Sequence, residues 1–429
     1  MGLLRKYKID ILINFEIWKN MKFHKTLVER LFNKNYQLID GTDEIFELDL
    51  ALWEYKVLSK KELIDRSAYF KIVDGIETMH YKICNLQNLE EVHKKSSFRT
   101  KNFFLNGKYS TGYATHGLFP YRGKFHPQLI RALLNILEIK QGQTVLDPMA
   151  GSSTLAVEAN LLGIDAISID ISPFCELIGQ VKTFALDLDI KTLEKIGANS
   201  NKLLEKLKKD IVPQYFINNK DDKKKRYYEI VLLAYLDTVG FSERSESSVE
   251  KLFSRVLERY IATIKYFQIA RQKVGLKIGN SEILQGNILD LPIKDSSVDI
   301  IITSPPYSFA IDYLKNDKPQ LEYLGANIDK LHQEMIGLQG RGVEDKLDIY
   351  FNKMNQALAE MKRVAKNESP IIIIIGTNDI QTKGVRLEKK IIELSRQHGL
   401  KFELNLKKPI LGLQNTMKEE SILFFTNQK

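Results

Sequence analysis

Apolar positions along this chain follow two rhythms. Short unbroken runs around Thr144-Val145-Leu146, Ala166-Ile167-Ser168-Ile169, Val298-Asp299-Ile300-Ile301-Ile302 and Pro370-Ile371-Ile372-Ile373-Ile374-Ile375-Gly376 have the length and β-branched content of strands buried in a parallel sheet. Ser281 to Gln285 reads as one more such strand. Between them the period lengthens to that of a helix: Pro127 to Leu137 with proline at its start, Leu155 to Ala159, Pro173 to Thr183, Asp348 to Ala365 and Leu387 to His398. Phe402 to Pro409 and Ser421 to Thr426 suit a closing antiparallel pair, with Gly412 to Lys418 between them near the cleft. Strands alternating with helices predict an open α/β sheet.

The flanking segments break that rhythm. Residues 1–110 mix apolar stretches such as Ile9-Asp10-Ile11-Leu12-Ile13 with helical patterns around Phe46 to Leu63, which suits a small α+β region. The polar tract Lys94 to Lys101 reads as a linker, a solvated basic loop in preference to a phosphate contact. Residues 184–275 turn helical and heavily charged, with basic runs at Lys202 to Lys209 and Asp221 to Tyr228. Ser245 to Lys265 has amphipathic spacing at Val249, Leu252, Phe253, Val256 and Leu257. This insertion fits a nucleic-acid grip or sequence reader, and it fits a helical cap over the sheet as well. The catalytic domain is then 111–183 together with 276–429.

Composition narrows the class. A chain of 429 residues, 44% hydrophobic and 27% charged, is long enough for more than one domain and ordinary for a globular protein. Its net charge of +9 suits a polyanionic partner. Cys84 and Cys175 are too few for a disulfide framework, and the histidines lack metal-ligand spacing, so no metal is expected. No apolar run approaches the ~20 residues of a membrane span, and no leader peptide is read. A cytoplasmic location is the expectation.

Two loops carry the chemistry. Asp147-Pro148-Met149-Ala150-Gly151-Ser152-Ser153-Thr154 joins a strand to a helix; Gly151 permits close ligand approach, and Ser152 to Thr154 offer caps for the helix. Asp170 ends the next strand, where an acid can accept from ribose hydroxyls. No lysine follows the glycine, so the loop is not a P-loop. Downstream, Thr303-Ser304-Pro305-Pro306-Tyr307 ends another strand. Paired prolines stop the ladder and free carbonyls to face a cleft. The exocyclic amine of a base is a poor nucleophile because its lone pair is delocalised. Acceptors on its N–H bonds, here Ser304 Oγ and the Pro305 carbonyl, favour a more tetrahedral nitrogen, while Tyr307 stacks and Pro306 stiffens the turn.

Together these residues resemble the S-adenosylmethionine-dependent amino-methyltransferases of DNA. The first loop is similar to the family's cofactor loop, and Ser304-Pro305-Pro306-Tyr307 to its catalytic motif, in which serine goes mostly with cytosine N4. Ile311-Asp312-Tyr313 and Leu321 to Gly325 resemble that motif's continuation. Tyr121-Arg122-Gly123-Lys124-Phe125-His126-Pro127 resembles the segment over the cofactor's methionine end, and Gly286-Asn287-Ile288-Leu289-Asp290 the adenine segment.

The resemblance implies a class I methyltransferase (Rossmann-like) sheet with an N-terminal α+β appendage and a helical insertion. It implies S-adenosylmethionine held by Phe125, Asp147, Pro148, Met149, Gly151, Ser152, Asp170, Ile171, Asn287 and Ile288. Thr377-Asn378-Asp379 becomes a base-pocket candidate. The chain departs from the pattern at Met149 for phenylalanine, Ser153 for glycine, and Asn287 for an acid, whose amide oxygen still accepts. The implied reaction is methylation of a flipped cytosine N4 in duplex DNA, with a cognate restriction endonuclease as a candidate partner. Adenine N6 in DNA, guanine N2 in tRNA, and an inert DNA-binding module on the same fold stay open. The recognition sequence and oligomeric state are not written in these residues.

Overall fold

A computed structural model describes residues 28–42, 44–105, 111–121, 123–209, 222–242, 248–306, 312–337, 339–410 and 419–428. Its centre is a 7-stranded sheet in the order β6-β5-β4-β7-β8-β10-β9. The strands are β4 (Thr144–Asp147), β5 (Asp165–Asp170), β6 (Ser281–Gln285), β7 (Ile300–Thr303), β8 (Pro370–Gly376), β9 (Leu400–Pro409) and β10 (Glu419–Asn427). β4 to β8 are parallel; β10 runs antiparallel between β8 and β9. The class I methyltransferase-like α/β sheet expected from the sequence, with its closing antiparallel pair, is therefore present. A separate 3-stranded sheet, β1 (Tyr36–Leu38), β2 (Phe70–Val73) and β3 (Ile76–Glu77), lies in the N-terminal region.

The helices that matter for the site, in chain order, are α1 (Ile45–Val57), α2 (Lys60–Arg66), α3 (Met79–Leu86), α4 (Phe98–Leu105), α5 (Pro127–Ile136), α6 (Thr154–Leu161), α7 (Pro173–Phe184), α8 (Asp222–Ser242), α9 (Val249–Val274), α10 (Gly342–Val364) and α11 (Leu387–Gln397). Three expected boundaries shift. α10 begins at Gly342, before Asp348, with Glu344 and Asp345 in an acidic first turn that periodicity alone does not reveal. α9 runs on past Lys265 to a glycine in the left-handed conformation, Gly275. Val298 makes only an isolated bridge to Ala365, so β7 starts two residues later than its apolar run. The expected linker at Lys94 to Lys101 contains the start of α4.

Strand alternation sorts the core. Val145, Ile300, Ile302, Ile372, Ile374 and Ile422 face one side, packing with Leu129 and Leu133 of α5 and with Leu155 and Ala159 of α6. Leu146, Ile301, Ile371, Ile373, Ile375 and Leu423 face the other, against Met354, Leu358 and Met361 of α10. A β-strand's period of two makes this separation automatic. The first face is also covered by Phe46 and Leu50 of α1, Leu63 of α2 and Phe70 of β2, so the N-terminal region and the sheet share one core.

The insertion forms a helical hairpin. Ile230, Leu233 and Leu236 of α8 pack on Phe253, Leu257, Tyr260 and Ile264 of α9, and both pack on Phe174 and Ile178 of α7. Asp237 accepts from Arg259 at 2.6 Å and from the Tyr260 hydroxyl at 3.2 Å. Lys223 and Lys224 at the start of α8 stay exposed.

The loop after β4 departs from its expected capping. The residue before α6 is Ser153, left-handed at φ 55°, and no side chain caps the helix. Ser152 Oγ and Thr154 Oγ1 instead lie 3.3 Å from each other. Ser153 Oγ is buried without a partner and points at Gly179 of α7. A Cβ on Gly179 would collide with that hydroxyl and lie 2.9 Å from Ile283 Cγ2. Gly179→Ala is expected to destabilise the protein by about 1–3 kcal/mol through overpacking. Adding Ser153→Gly is expected to return part of this loss, since glycine accepts the left-handed backbone and removes the hydroxyl. Urea denaturation of the two single variants and the double variant measures the coupling; strict additivity would contradict the contact.

Candidate functional site

β4, β5 and β6 progress to one side of the sheet, and β7 and β8 to the other. At such a switch point the loops beyond neighbouring strands diverge and leave a crevice. Here they bound a crevice of about 940 Å³, counting the space at its open mouth. Its wall includes Pro148, Met149, Gly151 and Ser152 beyond β4, Asp170 and Ile171 beyond β5, and Asn287 and Ile288 beyond β6. Phe125 enters from the segment before α5. Ser304 and Pro306 line the same crevice from the end of β7. Pro305 is buried beside them, and Tyr307 lies outside the described residues, as do Ile311 and 411–418.

Asp147 is placed differently from expectation. It is not on the crevice wall but fully buried beneath it. Its Oδ1 accepts from Thr303 Oγ1 at 2.8 Å and from the Met149 amide at 3.2 Å. One carboxylate thus fastens the two motif loops to each other, since β4 and β7 are paired neighbours. Its Oδ2 has no partner. Burial pushes this carboxyl up to about 7, against the pull of the Thr303 and Met149 bonds. Its effect on a bound ligand is therefore indirect.

Asp170 does face the crevice. Its Oδ2 accepts from the Gly151 amide at 2.8 Å and Oδ1 from the Ser172 amide at 2.9 Å. Burial raises its pKa, and those amide bonds oppose the rise. Each oxygen keeps a further lone pair for a ligand hydroxyl. Asn287 Oδ1 accepts from the Leu289 amide at 3.0 Å, which fixes the turn after β6. Ile288, nearly buried, adds apolar surface beside it.

Tyr350, Asp317 and Glu334 carried no local signal in the sequence. The Tyr350 hydroxyl on α10 donates to the Pro306 carbonyl at 3.0 Å, clamping the turn after β7. The Tyr121 and Tyr313 rings stand 6.5 Å apart and 12° from parallel on the wall. Asp317 and Glu334 add acids to it. Thr377, by contrast, donates to Glu388 at 2.8 Å and accepts from the Leu387 amide at 3.1 Å. It is spent on starting α11, and neither it nor Asn378 or Asp379 lines the crevice.

The residues of the wall suit a nucleoside. Asp170 offers acceptors for ribose hydroxyls, Ile171 and Ile288 offer apolar faces for a purine, and Gly151, left-handed at φ 50°, lets the backbone approach the ligand. Among the described residues no group of His, Cys, Asp or Glu is placed to hold a metal ion, and no helix is long and apolar enough to cross a membrane.

Comparison with known proteins points the same way. Residues 118–223 match the model of a family described as UPF0020, RMKL-like, methyltransferase domain. The chain is 28% identical over 224 residues to the Type II methyltransferase M.MjaII of Methanocaldococcus jannaschii, covering 50% of this chain and 40% of that protein. It is 24% identical over 325 residues to the Type II methyltransferase M.BsoBI of Geobacillus stearothermophilus, covering 62% of this chain and 59% of that protein. A 53-residue stretch is 36% identical to a tRNA (guanine(10)-N2)-dimethyltransferase of Methanothermobacter thermautotrophicus, covering 12% of this chain and 16% of that protein. The chain thus spans between 40% and 59% of the length of the two Type II relatives. Residues 118–223 are thus similar to a methyltransferase domain, a likeness that supports S-adenosylmethionine as the cofactor.

Proposed function

We propose that this protein methylates an exocyclic amine of a nucleobase in DNA, with cytosine N4 as the target. The observation that carries the reading is the shared crevice: Gly151 and Asp170 line it from one pair of strands, and Ser304 and Pro306 from the next. S-adenosylmethionine bound there supplies an electrophilic methyl carbon. The chain's own residues do the rest. Asp170 accepts from the ribose hydroxyls, Asn287 and Ile288 receive the adenine, and Phe125, Met149 and Ser152 close around the amino-acid portion. Ser304 Oγ and the Pro305 carbonyl accept hydrogen bonds from the two amine N–H groups, directing the nitrogen lone pair at the methyl carbon; as the N–C bond forms the S–C bond would break to leave a neutral thioether, and the nitrogen sheds one proton to solvent. Positioning and fixed dipoles supply the rate, without a strong base. Tyr350 and Asp147 hold the turn in register for that task.

The target atom cannot be aligned within a duplex, so the base must be flipped, at roughly a few kcal/mol. Similarity to two Type II methyltransferases supports DNA as the polymer, and a cognate restriction endonuclease remains part of this reading. The exposed Lys223 and Lys224 of α8 are candidates for phosphate contacts. Serine as the first residue of the turn supports cytosine. The short stretch similar to a tRNA guanine-N2 dimethyltransferase favours RNA as the second reading. Incubation with methyl-labelled cofactor and mixed DNA and RNA, followed by nucleoside mass spectrometry, decides among them. N4-methylcytosine is expected; N6-methyladenine or N2-methylguanine would replace the target, and no label in either polymer would favour an inert DNA-binding module.

A further inference from the structure

A second hollow lies outside the crevice, where the N-terminal region meets the insertion. One wall is formed by residues 94–100, which lead into α4, and the other by the face of α9 that carries Leu252, Arg255 and Arg259. Together they bound a groove of about 1450 Å³, counting the space at its open side. Its charged lining is four cations, Lys94, Lys95, Arg255 and Arg259, and three acids, Glu91, Asp237 and Glu258. Each acid meets one cation: Lys94 to Glu91 at 3.5 Å, Lys95 to Glu258 at 3.3 Å and Arg259 to Asp237 at 2.6 Å. The first two pairs are solvent-exposed, and such pairs are worth little, so a phosphate can take the place of either carboxylate at small cost. Arg255 is exposed on α9 and adds a fourth positive charge to the lining.

Arg259 differs from the rest. It is only 9% exposed, its Nη2 donates to Asp237, and its Nε is buried with no partner among the described residues. Its Cζ lies 5.3 Å from the centre of the Tyr260 ring and 5.9 Å from that of Phe104 on α4. A planar guanidinium held by two rings and one carboxylate is fixed in place with a donor to spare. The groove also adjoins the crevice. Pro120 lines the groove, and the next residue, Tyr121, lines the crevice. The Phe104 ring approached by Arg259 is likewise 5.4 Å from Nζ of Lys124, a residue of the crevice wall. Next to the groove, at the start of α4, Phe98 is 80% exposed. Cations, hydroxyls and an exposed ring in one place are what proteins use to hold a nucleic-acid strand.

We propose that this groove holds the sugar–phosphate backbone of the DNA beside the target base, so that the N-terminal region and the insertion grip the substrate jointly. Lys95 and Arg255 neutralise phosphates from the two walls, Arg259 donates from between them, and the Thr100 hydroxyl adds a neutral contact. Phe98 offers a face on which a base can stack. The inference rests on the DNA reading and adds to it a track for the strand and a task for residues 1–110.

The test is fluorescence anisotropy of the full chain with a short labelled DNA duplex, read across a salt series. Each phosphate contact contributes about 0.9 to the slope of log affinity against log salt. Lys95→Ala combined with Arg255→Ala is expected to lower that slope by about two and to weaken binding about tenfold or more at low salt. Lys277→Ala combined with Lys294→Ala removes two exposed lysines outside the groove and is expected to weaken binding less than about threefold. Calorimetric affinity for S-adenosylhomocysteine is expected to stay within about twofold in both double variants. An unchanged salt slope in the groove variant, or an equal loss in the control variant, overturns the proposal and leaves the DNA reading standing. A parallel fall in S-adenosylhomocysteine affinity would make the groove residues a structural support and overturns it as well. Wild-type protein that binds S-adenosylhomocysteine but no DNA would sink the DNA reading and this inference with it.

Discussion

Ser304→Ala is expected to lower single-turnover methyl transfer by about a hundredfold or more while changing cofactor affinity by less than about threefold. The asymmetry follows from where the residue is attached. Thr303 before it is fully buried and bonded to Asp147, and the Pro306 carbonyl after it is held by Tyr350, so the turn keeps its course without the Ser304 hydroxyl. The cofactor's wall is built from other strand ends, at Gly151, Asp170, Asn287 and Ile288. Removing an acceptor for the amine should therefore act on the reacting nitrogen alone. Single-turnover rates with a substrate oligonucleotide, set beside calorimetric Kd values for the cofactor, provide the comparison. Equal losses in both would contradict the assignment of the turn to the base.

The largest effect on stability is expected at Glu158. This carboxylate of α6 is fully buried, and its Oε1 accepts from the Tyr113 hydroxyl at 2.6 Å and from His116 Nε2 at 2.7 Å. Its Oε2 accepts from Arg131 Nη1 at 3.1 Å, and Arg131 is buried as well. Burial alone would raise its pKa; the His116 hydrogen bond and the Arg131 charge outweigh that and hold it at about 2. Glu158→Gln leaves the guanidinium without its counter-charge, which is expected to cost about 3–5 kcal/mol. Denaturant midpoints measure this. The pH dependence has a fixed sign. A carboxylate with a lowered folded pKa stabilises above its unfolded value of ~4.3 and loses that contribution as pH falls towards 2. His116, kept neutral by burial with a pKa of about 4, likewise loses its contribution as pH falls below ~6.5. The difference between wild type and Glu158→Gln should therefore shrink on acidification. A constant difference from pH 7 to pH 3 would argue against an ionised Glu158.

The sequence was most legible where periodicity and loop chemistry coincide. The runs at Ile371 to Ile375 and Ile300 to Ile302 could only be interior strands, and the loops that follow β4 and β7 announced themselves through proline and glycine. Which residue of a loop faces a ligand was less legible. Asp147 opens the cofactor loop, yet it is still the last residue of β4, and its side chain turns to the neighbouring strand rather than to the crevice. Thr377 was misleading for a similar reason: its hydroxyl starts a helix. Tyr350 and Lys182 lie on helices whose pattern shows only that one side is buried. Their hydrogen bonds to Pro306 and Ser152 depend on tertiary placement, which no local spacing encodes. The mutual fit of Ser153 and Gly179 is of the same kind, since the residue in the glycine position and the gap that receives it sit on different elements.

The shared core of the N-terminal region bears on how this molecule can be cut. Phe46, Leu50, Leu63 and Phe70 close over the same sheet face as Leu133 and Ile372. Asn135 of α5 donates to Glu54 of α1 at 2.6 Å, while Arg66 of α2 reaches back to Asn135 at 2.7 Å. A fragment starting at residue 111 would leave greasy sheet-side surface and severed polar partners in water. The economical unit for expression or domain exchange therefore keeps the first segment together with the sheet it covers.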